Sequence, residues 1–170
     1  MLEFRSRDER VDLKGLRSVI DSLEGEFALE ARRAQESGEH LVAGNISAAA
    51  FISRTCSMSV SSAADRLCVG GQLAELPQVS AALRSGEVGY QSVSVLCHLR
   101  EQLGDKKDLF NQEEMLEYAR NFSVSGLRYL CRHARHAADP DGFGRDAEED
   151  FSRRHLHISQ LPDGMHVIDG

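Results

Sequence analysis

The chain has 170 residues, of which 41% are hydrophobic and only 6% aromatic, with no Trp. This composition fits one domain with a core of Leu, Val, Ile and Ala, and it favours helices over a β-sandwich. The net charge of −7 excludes a surface coated for nucleic acid, so any DNA contact must use a local basic face.

The sequence contains no recognisable membrane-spanning segment or signal peptide. No stretch approaches the roughly 18 apolar residues of a membrane-spanning helix. The N-terminus, MLEFRSRDER, is charged and lacks the apolar segment of a signal peptide. We therefore expect a cytoplasmic protein with no membrane partner.

A long amphipathic helix is predicted from Leu13 to Ala34. Its apolar residues recur at intervals of three and four, close to a heptad pattern. They are Leu13, Leu16, Ile20, Leu23, Phe27, Ala31 and Ala34. The ordinary interpretation is that this face packs on the helices that follow. The alternative is a homodimer, with the candidate partner seam at Leu13, Leu16, Ile20, Leu23 and Phe27.

Gly38 to Gly44 is expected to be a connector, and a block of four short helices follows from Asn45 to Gly104. Asn45 or Ser47 caps the first helix, which ends near Cys56, and Ser59 caps the second. Pro77 is suited to open the third helix, since its missing N–H costs nothing at the first helical position.

Glycines are predicted at the ends of two helices and inside another. Gly86 is predicted to end the third helix in a left-handed conformation, and Gly104 the fourth. Gly70 and Gly71 lie inside the second helix, where each costs about 1 kcal/mol relative to Ala. Either a neighbouring helix approaches closely there, or the pair is a tolerated weak spot.

The first two helices of the block, with their turn at residues 57–59, have the proportions of a helix-turn-helix. Arg66 is the one positive residue on the expected outer face of the second helix, and Asp65 beside it opposes phosphate. The ordinary interpretation is a pair of packed helices, with Arg66 kept as a candidate nucleic-acid contact.

A polar turn at Asp105 to Asp108, a helix ending near Phe122 and a helix capped by Ser123 are predicted next. The last of these carries Arg128, Arg132 and Arg135 on one face. The planar guanidinium binds two phosphate oxygens at once, so this face is the better candidate for DNA. The alternative is a solvated face, or one paired with acidic residues elsewhere in the chain.

At the end of the chain the pattern changes to alternation. His155 to Ser159 and Met165 to Ile168 alternate around the turn sequence Leu161-Pro162-Asp163-Gly164, which predicts a β-hairpin. The predicted fold is therefore mainly α, with six to seven helices and a C-terminal hairpin. The predicted division is a helical domain at 1–150 and a hairpin at 151–170 that begins a longer C-terminal region.

One run of the sequence resembles a known family. The pattern SxxSA…LAELPxVxxALRSGEV, from Ser59 to Val88, is similar to the actinobacterial domain of unknown function 222, also called the thirteen-E-twelve repeat family. The similarity continues through Phe122–Gly142 and Arg153–Gly170. The resemblance implies a helical domain that precedes an HNH endonuclease module, and it implies no catalytic residues.

The motifs of common enzymes are absent. There is no phosphate-binding loop, nucleophile elbow or HExxH pair, and nothing matches an HNH site. The four cysteines form no CxxC pair, and each of the histidine pairs 133/136 and 155/157 lacks a third ligand. We expect no metal, cofactor or small-molecule ligand, and an accessory domain that binds DNA or a protein partner rather than an enzyme. HNH activity would need a further C-terminal module.

Overall fold

The computed structural model describes residues 12–138 and, beyond them, residues 140, 144, 148, 151, 157–160 and 165–169. Eight α-helices and one 3-10 helix have bounds within these residues. They are α1 (Leu13–Glu36), α2 (Glu39–Val42), α3 (Ala48–Thr55), α4 (Val60–Leu73), α5 (Pro77–Arg84), α6 (Tyr90–Gln102), the 3-10 helix (Gly104–Leu109), α7 (Gln112–Asn121) and α8 (Val124–Ala138). None of the described helices has both the length and the apolar character of a membrane span.

The predicted helix signals are confirmed at the residues that carry them. Ser47, Ser59 and Ser123 each accept a hydrogen bond from the backbone N–H three residues later, which satisfies a free donor of the first turn. Pro77 is the first residue of α5. Gly86 ends that helix with a φ of +74°, a conformation that glycine adopts without strain.

The core lies between α1, α4, α5, α6, α7 and α8, with α1 packed along α4 and α6 between α4 and α8. The two long helices α1 and α4 approach each other at Gly70. A Cβ atom at this position would overlap the carbonyl oxygen of Ala28 and lie 2.9 Å from Cβ of Arg32. Of the two interpretations of Gly70, the close approach of a neighbouring helix is therefore confirmed.

Helix α1 packs on the central block, as expected, but only the C-terminal part of the expected face, at Phe27 and Ala31, takes part. Its buried residues are Asp21, Gly25, Ala28 and Ala31. The large side chains of the predicted seam are exposed instead: Leu13 by 74%, Leu16 by 51%, Ile20 by 39% and Leu23 by 63%. Phe27 alone of that seam packs against a small cluster, formed by Ala31, Ile52 and Ala63.

The predicted fold class needs two corrections. The described residues contain nine helices rather than six to seven, because the Gly38–Gly44 connector holds α2 and the polar turn after Leu103 is a 3-10 helix. Each is a single short element, too brief to leave an apolar period in the sequence.

The second correction concerns the C-terminal hairpin, which adds no layer to the helical fold. The domain is built from helices. Strands β1 (His157–Gln160) and β2 (His166–Asp169) pair antiparallel with each other, and in the described residues their extensive contacts go no further. A two-stranded hairpin of this length is only marginally stable by itself. The turn at 161–164 lies outside the described residues, and the division at 150 stays a prediction.

Candidate functional site

A cluster of polar side chains joins α4 to α6 around Asp65. The Asp65 carboxylate accepts hydrogen bonds from Tyr90 Oη at 3.0 Å, from Ser94 Oγ at 2.6 Å and from His98 Nε2 at 3.0 Å. The three donors are spaced by four residues along α6, so they lie on one face of that helix. The cluster therefore aligns α6 against the middle of α4.

The charges in this cluster support one another. Burial alone would raise the pKa of Asp65, but the hydrogen bonds from His98, Ser94 and Tyr90 lower it to about 2. The hydrogen bond to Asp65 raises the pKa of His98. Burial and the nearby Asp65 carboxylate raise the pKa of Tyr90, which keeps its hydroxyl a donor. The pair Asp65–His98 thus favours a carboxylate beside an imidazolium.

Arg66, one of the predicted nucleic-acid contacts, lies beside this cluster and points to α1. Its guanidinium is 2.8 Å from the Glu24 carboxylate and 3.2 Å from that of Asp65, and it lies over the Tyr90 ring at 5.0 Å from the centroid. Its side chain is 20% exposed. These contacts join α4 to α1, and a phosphate would have to compete with two carboxylates for the same guanidinium.

Behind Asp65, the thiol of Cys68 faces the second ring nitrogen of His98. Cys68 Sγ lies 3.5 Å from His98 Nδ1, and Glu101 follows one turn further along α6. These side chains and Arg32 line an open pocket of about 510 Å³. The sequence of contacts from the Cys68 thiol to the His98 imidazole to the Asp65 carboxylate resembles that of a catalytic nucleophile, its general base and the acid that orients the base. However, burial and the Glu101 carboxylate raise the pKa of Cys68, so an activated thiolate is disfavoured.

The predicted basic face of α8 is divided by the packing. Arg128 and Arg132 are exposed, whereas Arg135 is half-buried. Arg128 lines a pocket of about 440 Å³ together with Arg17 and Arg66. The structure therefore brings two of the four predicted cations, Arg66 and Arg128, to one pocket. Glu24 and Asp65 line the same pocket, and their carboxylates offset much of its positive charge.

Four of the five residues of the predicted partner seam, all but Phe27, remain exposed. We call Leu13, Leu16, Ile20 and Leu23 the apolar stripe of α1; all four are exposed large hydrophobic residues. The buried residues Asp21, Gly25 and Ala28 lie on a different side of the same helix, which packs along α4 and α5. Contiguous exposed apolar surface of this kind marks interaction sites in proteins that are otherwise polar outside.

Sequence reasoning missed the Asp65 cluster and the site at Cys68. Two signals were present, since Asp65 and Cys68 are three residues apart on α4 and His98 and Glu101 are three apart on α6. Each pair shares a helix face. The two pairs are separated by some thirty residues, and only the packing of α4 on α6 brings them together.

The match to a family model decides the family. The model described as "Domain of unknown function (DUF222)" matches residues 7–170. The chain belongs to the DUF222 family. No curated protein and no solved structure matches the chain. The resemblance seen in the DUF222 motif at Ser59–Val88 is thus confirmed. Actinobacterial origin and the association with an HNH module stay predictions.

Proposed function

We propose that this DUF222 domain is a non-catalytic helical accessory domain that acts by binding a protein partner through the apolar stripe of α1. The observation that carries the proposal is the exposure of all four stripe residues, by 39% to 74%, on a helix that buries small residues instead. Burying such side chains is the main favourable term in protein association. The cytoplasmic location and the HNH-endonuclease context belong to the same proposal.

The partner that fits the stripe best is a second copy of this chain. Spacings of three and four residues let two such stripes interlock in the manner of a coiled coil. The charges beside the stripe are compensated within the chain, because Arg17 pairs with Asp21 and Glu24 pairs with Arg66. They therefore do not oppose the approach of an identical helix.

The length of the stripe sets the expected strength. Residues 13–23 span about three helical turns, roughly 15 Å. An interface of this size is at the small end of specific protein contacts, so we expect a dissociation constant of about micromolar order. Dimerisation of this kind should be concentration-dependent and reversible.

Sedimentation equilibrium of the full chain at about 1 to 100 µM tests the proposal. The wild type should shift from monomer to dimer, and both Leu16→Glu and Leu23→Glu should remain monomeric. Val42→Glu is the matched control, because Val42 is 91% exposed on α2 and outside the stripe. A wild type that stays monomeric throughout, or three variants that dimerise equally well, would contradict self-association.

DNA contact through α8 is the second candidate. It is supported by the exposure of Arg128 and Arg132, which have no ion pair within the described residues. Three arginines on phosphates would give weak, sequence-independent binding whose affinity falls with salt at a log–log slope of about −2 to −3. The acidic net charge and the half-burial of Arg135 weigh against it.

Fluorescence anisotropy on a labelled duplex at several salt concentrations separates the two candidates. Replacing Arg128, Arg132 and Arg135 together by Gln should flatten the salt slope. Arg66→Gln is the comparison variant, since Arg66 is engaged by Glu24 and Asp65; it should leave the slope unchanged and lower thermal stability. Absence of wild-type binding at low salt would refute DNA contact. An apolar dimer, by contrast, persists in salt.

A further inference from the structure

We propose that Cys68, His98 and Glu101 form a binding site for a divalent transition metal of the zinc type, a site that the sequence did not predict. One ligand atom from each residue lies within 4.8 Å of the others. Zinc bonds of about 2.3 Å to sulfur and 2.0–2.1 Å to nitrogen place these two atoms about 3.5 Å apart in a tetrahedron. The distance from Cys68 Sγ to His98 Nδ1 is 3.5 Å.

The histidine is held in the orientation that a metal ligand needs. His98 Nε2 lies 3.0 Å from Asp65 Oδ1. A carboxylate only accepts, so Nε2 carries the hydrogen that faces Asp65. The metal would take the place of the protons on Nδ1, on the side of Cys68, and on the Cys68 thiol, and it would release them on binding. A carboxylate behind the ligating imidazole fixes the ring and increases its basicity. Tyr90 and Ser94 hold the same carboxylate in place.

The donor set selects the metal. One sulfur, one nitrogen and one carboxylate oxygen suit zinc and its neighbours, whereas calcium and magnesium require oxygen ligands. The pocket of about 510 Å³ gives access from solvent and leaves the fourth position to water. Arg32 also lines this pocket, but its guanidinium is bonded to Glu36 and Gln35. Because its ligands come from two helices, the metal would join α4 to α6.

Competition between the reduced full chain and a chromophoric chelator for Zn²⁺ tests the site. The wild type should take up one equivalent of Zn²⁺ with a dissociation constant of about micromolar order or below. Cys68→Ser and His98→Gln should each weaken binding at least about 10-fold, the lower limit seen for outer-shell partners of metal sites. Cys56→Ser is the matched control, because Cys56 is an exposed cysteine at the C-cap of α3, outside the proposed site. The Zn²⁺ affinity of this variant should equal that of the wild type.

Two further readouts keep the test decisive. With Co²⁺ as the probe, the wild type and Cys56→Ser should show a thiolate-to-cobalt absorption band that Cys68→Ser lacks. Glu101→Gln changes an exposed residue, so it should fold normally and bind Zn²⁺ more weakly. No uptake of Zn²⁺ by the wild type, or equal uptake by the Cys68, His98 and Glu101 variants, would overturn the proposal. The outcome is independent of whether the chain dimerises.

Discussion

The two halves of α1 contrast in how they use their side chains. In the second half, Gly25, Ala28 and Ala31 are buried, and the backbone of α4 comes so close that Gly70 has no room for a Cβ atom. In the first half the apolar side chains are large, and Leu13 and Leu23 are both more than half exposed. The second half is thus packed through its small residues, whereas the first half leaves its large apolar side chains in solvent.

This difference shows why apolar spacing and burial need not coincide. Spacing of three and four residues identifies where large apolar side chains share a face. Burial between closely packed helices instead selects small residues, because these allow the backbones to approach. A helix that carries both faces can pack on its own domain with one and keep the other for a partner.

The sharpest way to test the contrast is to compare a leucine of the core with a leucine of the stripe. Leu96 is fully buried in α6, whereas Leu23 is 63% exposed. We expect Leu96→Ala to lower the free energy of unfolding by about 2–5 kcal/mol, through lost burial and the cavity that remains. Leu23→Ala should change it by less than about 0.5 kcal/mol in the monomer.

Urea denaturation at a protein concentration below the dimer midpoint measures both values. Similar losses for the two variants would mean that the stripe is covered within the monomer. That result would also remove the basis for self-association.

The second test acts on the packed half of α1. Gly70→Ala adds a methyl group where a Cβ overlaps the Ala28 carbonyl and lies 2.9 Å from Cβ of Arg32. The neighbouring atoms are backbone and Cβ, which cannot move away without separating α1 from α4. We expect a loss of about 2–3 kcal/mol in the free energy of unfolding, typical of overpacking. Thermal denaturation followed by circular dichroism measures it, and an unchanged midpoint would show that the two helices have room to separate.

Much of this architecture could be predicted from the sequence because its signals are local. Ser59 needs only its own first turn to act as a cap, and Pro77 and Gly86 fix the ends of α5 through their own backbone preferences. The positions of these elements were therefore confirmed. The very short α2 and the 3-10 helix carry no such signals and were missed.

The candidate sites depend on how the helices pack, which local signals do not determine. From the sequence, Asp65 is predicted only to oppose phosphate binding. In the structure its carboxylate accepts hydrogen bonds from Tyr90, Ser94 and His98. From the sequence, Arg66 is predicted to be an exposed cation. In the structure it forms an ion pair with Glu24 of α1. Both outcomes follow from the side-by-side packing of α4 with α1 and α6, which no single helix sequence reveals.

The pH dependence of stability tests the polar cluster that adjoins the middle of α1. The pKa of Asp65 is lowered from 3.8 to about 2 in the folded chain, so its stabilising effect is present above pH 3.8 and is lost as the pH falls towards 2. The pKa of His98 is raised above 6.5, so its effect is present below pH 6.5 and is lost as the pH rises through the folded-state value. The pair should therefore stabilise the domain most between about pH 4 and 6.5.

We expect the Asp65 contribution to be about 1–2 kcal/mol, reduced from the full linkage value because the side chain is partly exposed. Urea denaturation of the wild type and Asp65→Asn at about pH 3, 5.5 and 8 measures it. The difference between the two proteins should be largest at the middle pH and should shrink at pH 3. A constant difference across all three values would mean that the titration of Asp65 does not contribute.

The smallest expected effect concerns Gly71, which follows Gly70 in α4 and allows the same Gly→Ala substitution to be compared at the next position. A Cβ at Gly71 would meet the Arg32 side chain at 3.7 Å, an ordinary contact with a flexible group. Because Gly is about 1 kcal/mol less favourable than Ala inside a helix, Gly71→Ala should raise the free energy of unfolding by about 0.5–1 kcal/mol. The two adjacent substitutions are both Gly→Ala in the same helix, yet they are predicted to change the free energy of unfolding in opposite directions. Thermal melts of both variants beside the wild type measure the signs directly. A loss at Gly71 comparable to that at Gly70 would show that α1 packs against both glycines, and that the close contact is broader than a single residue.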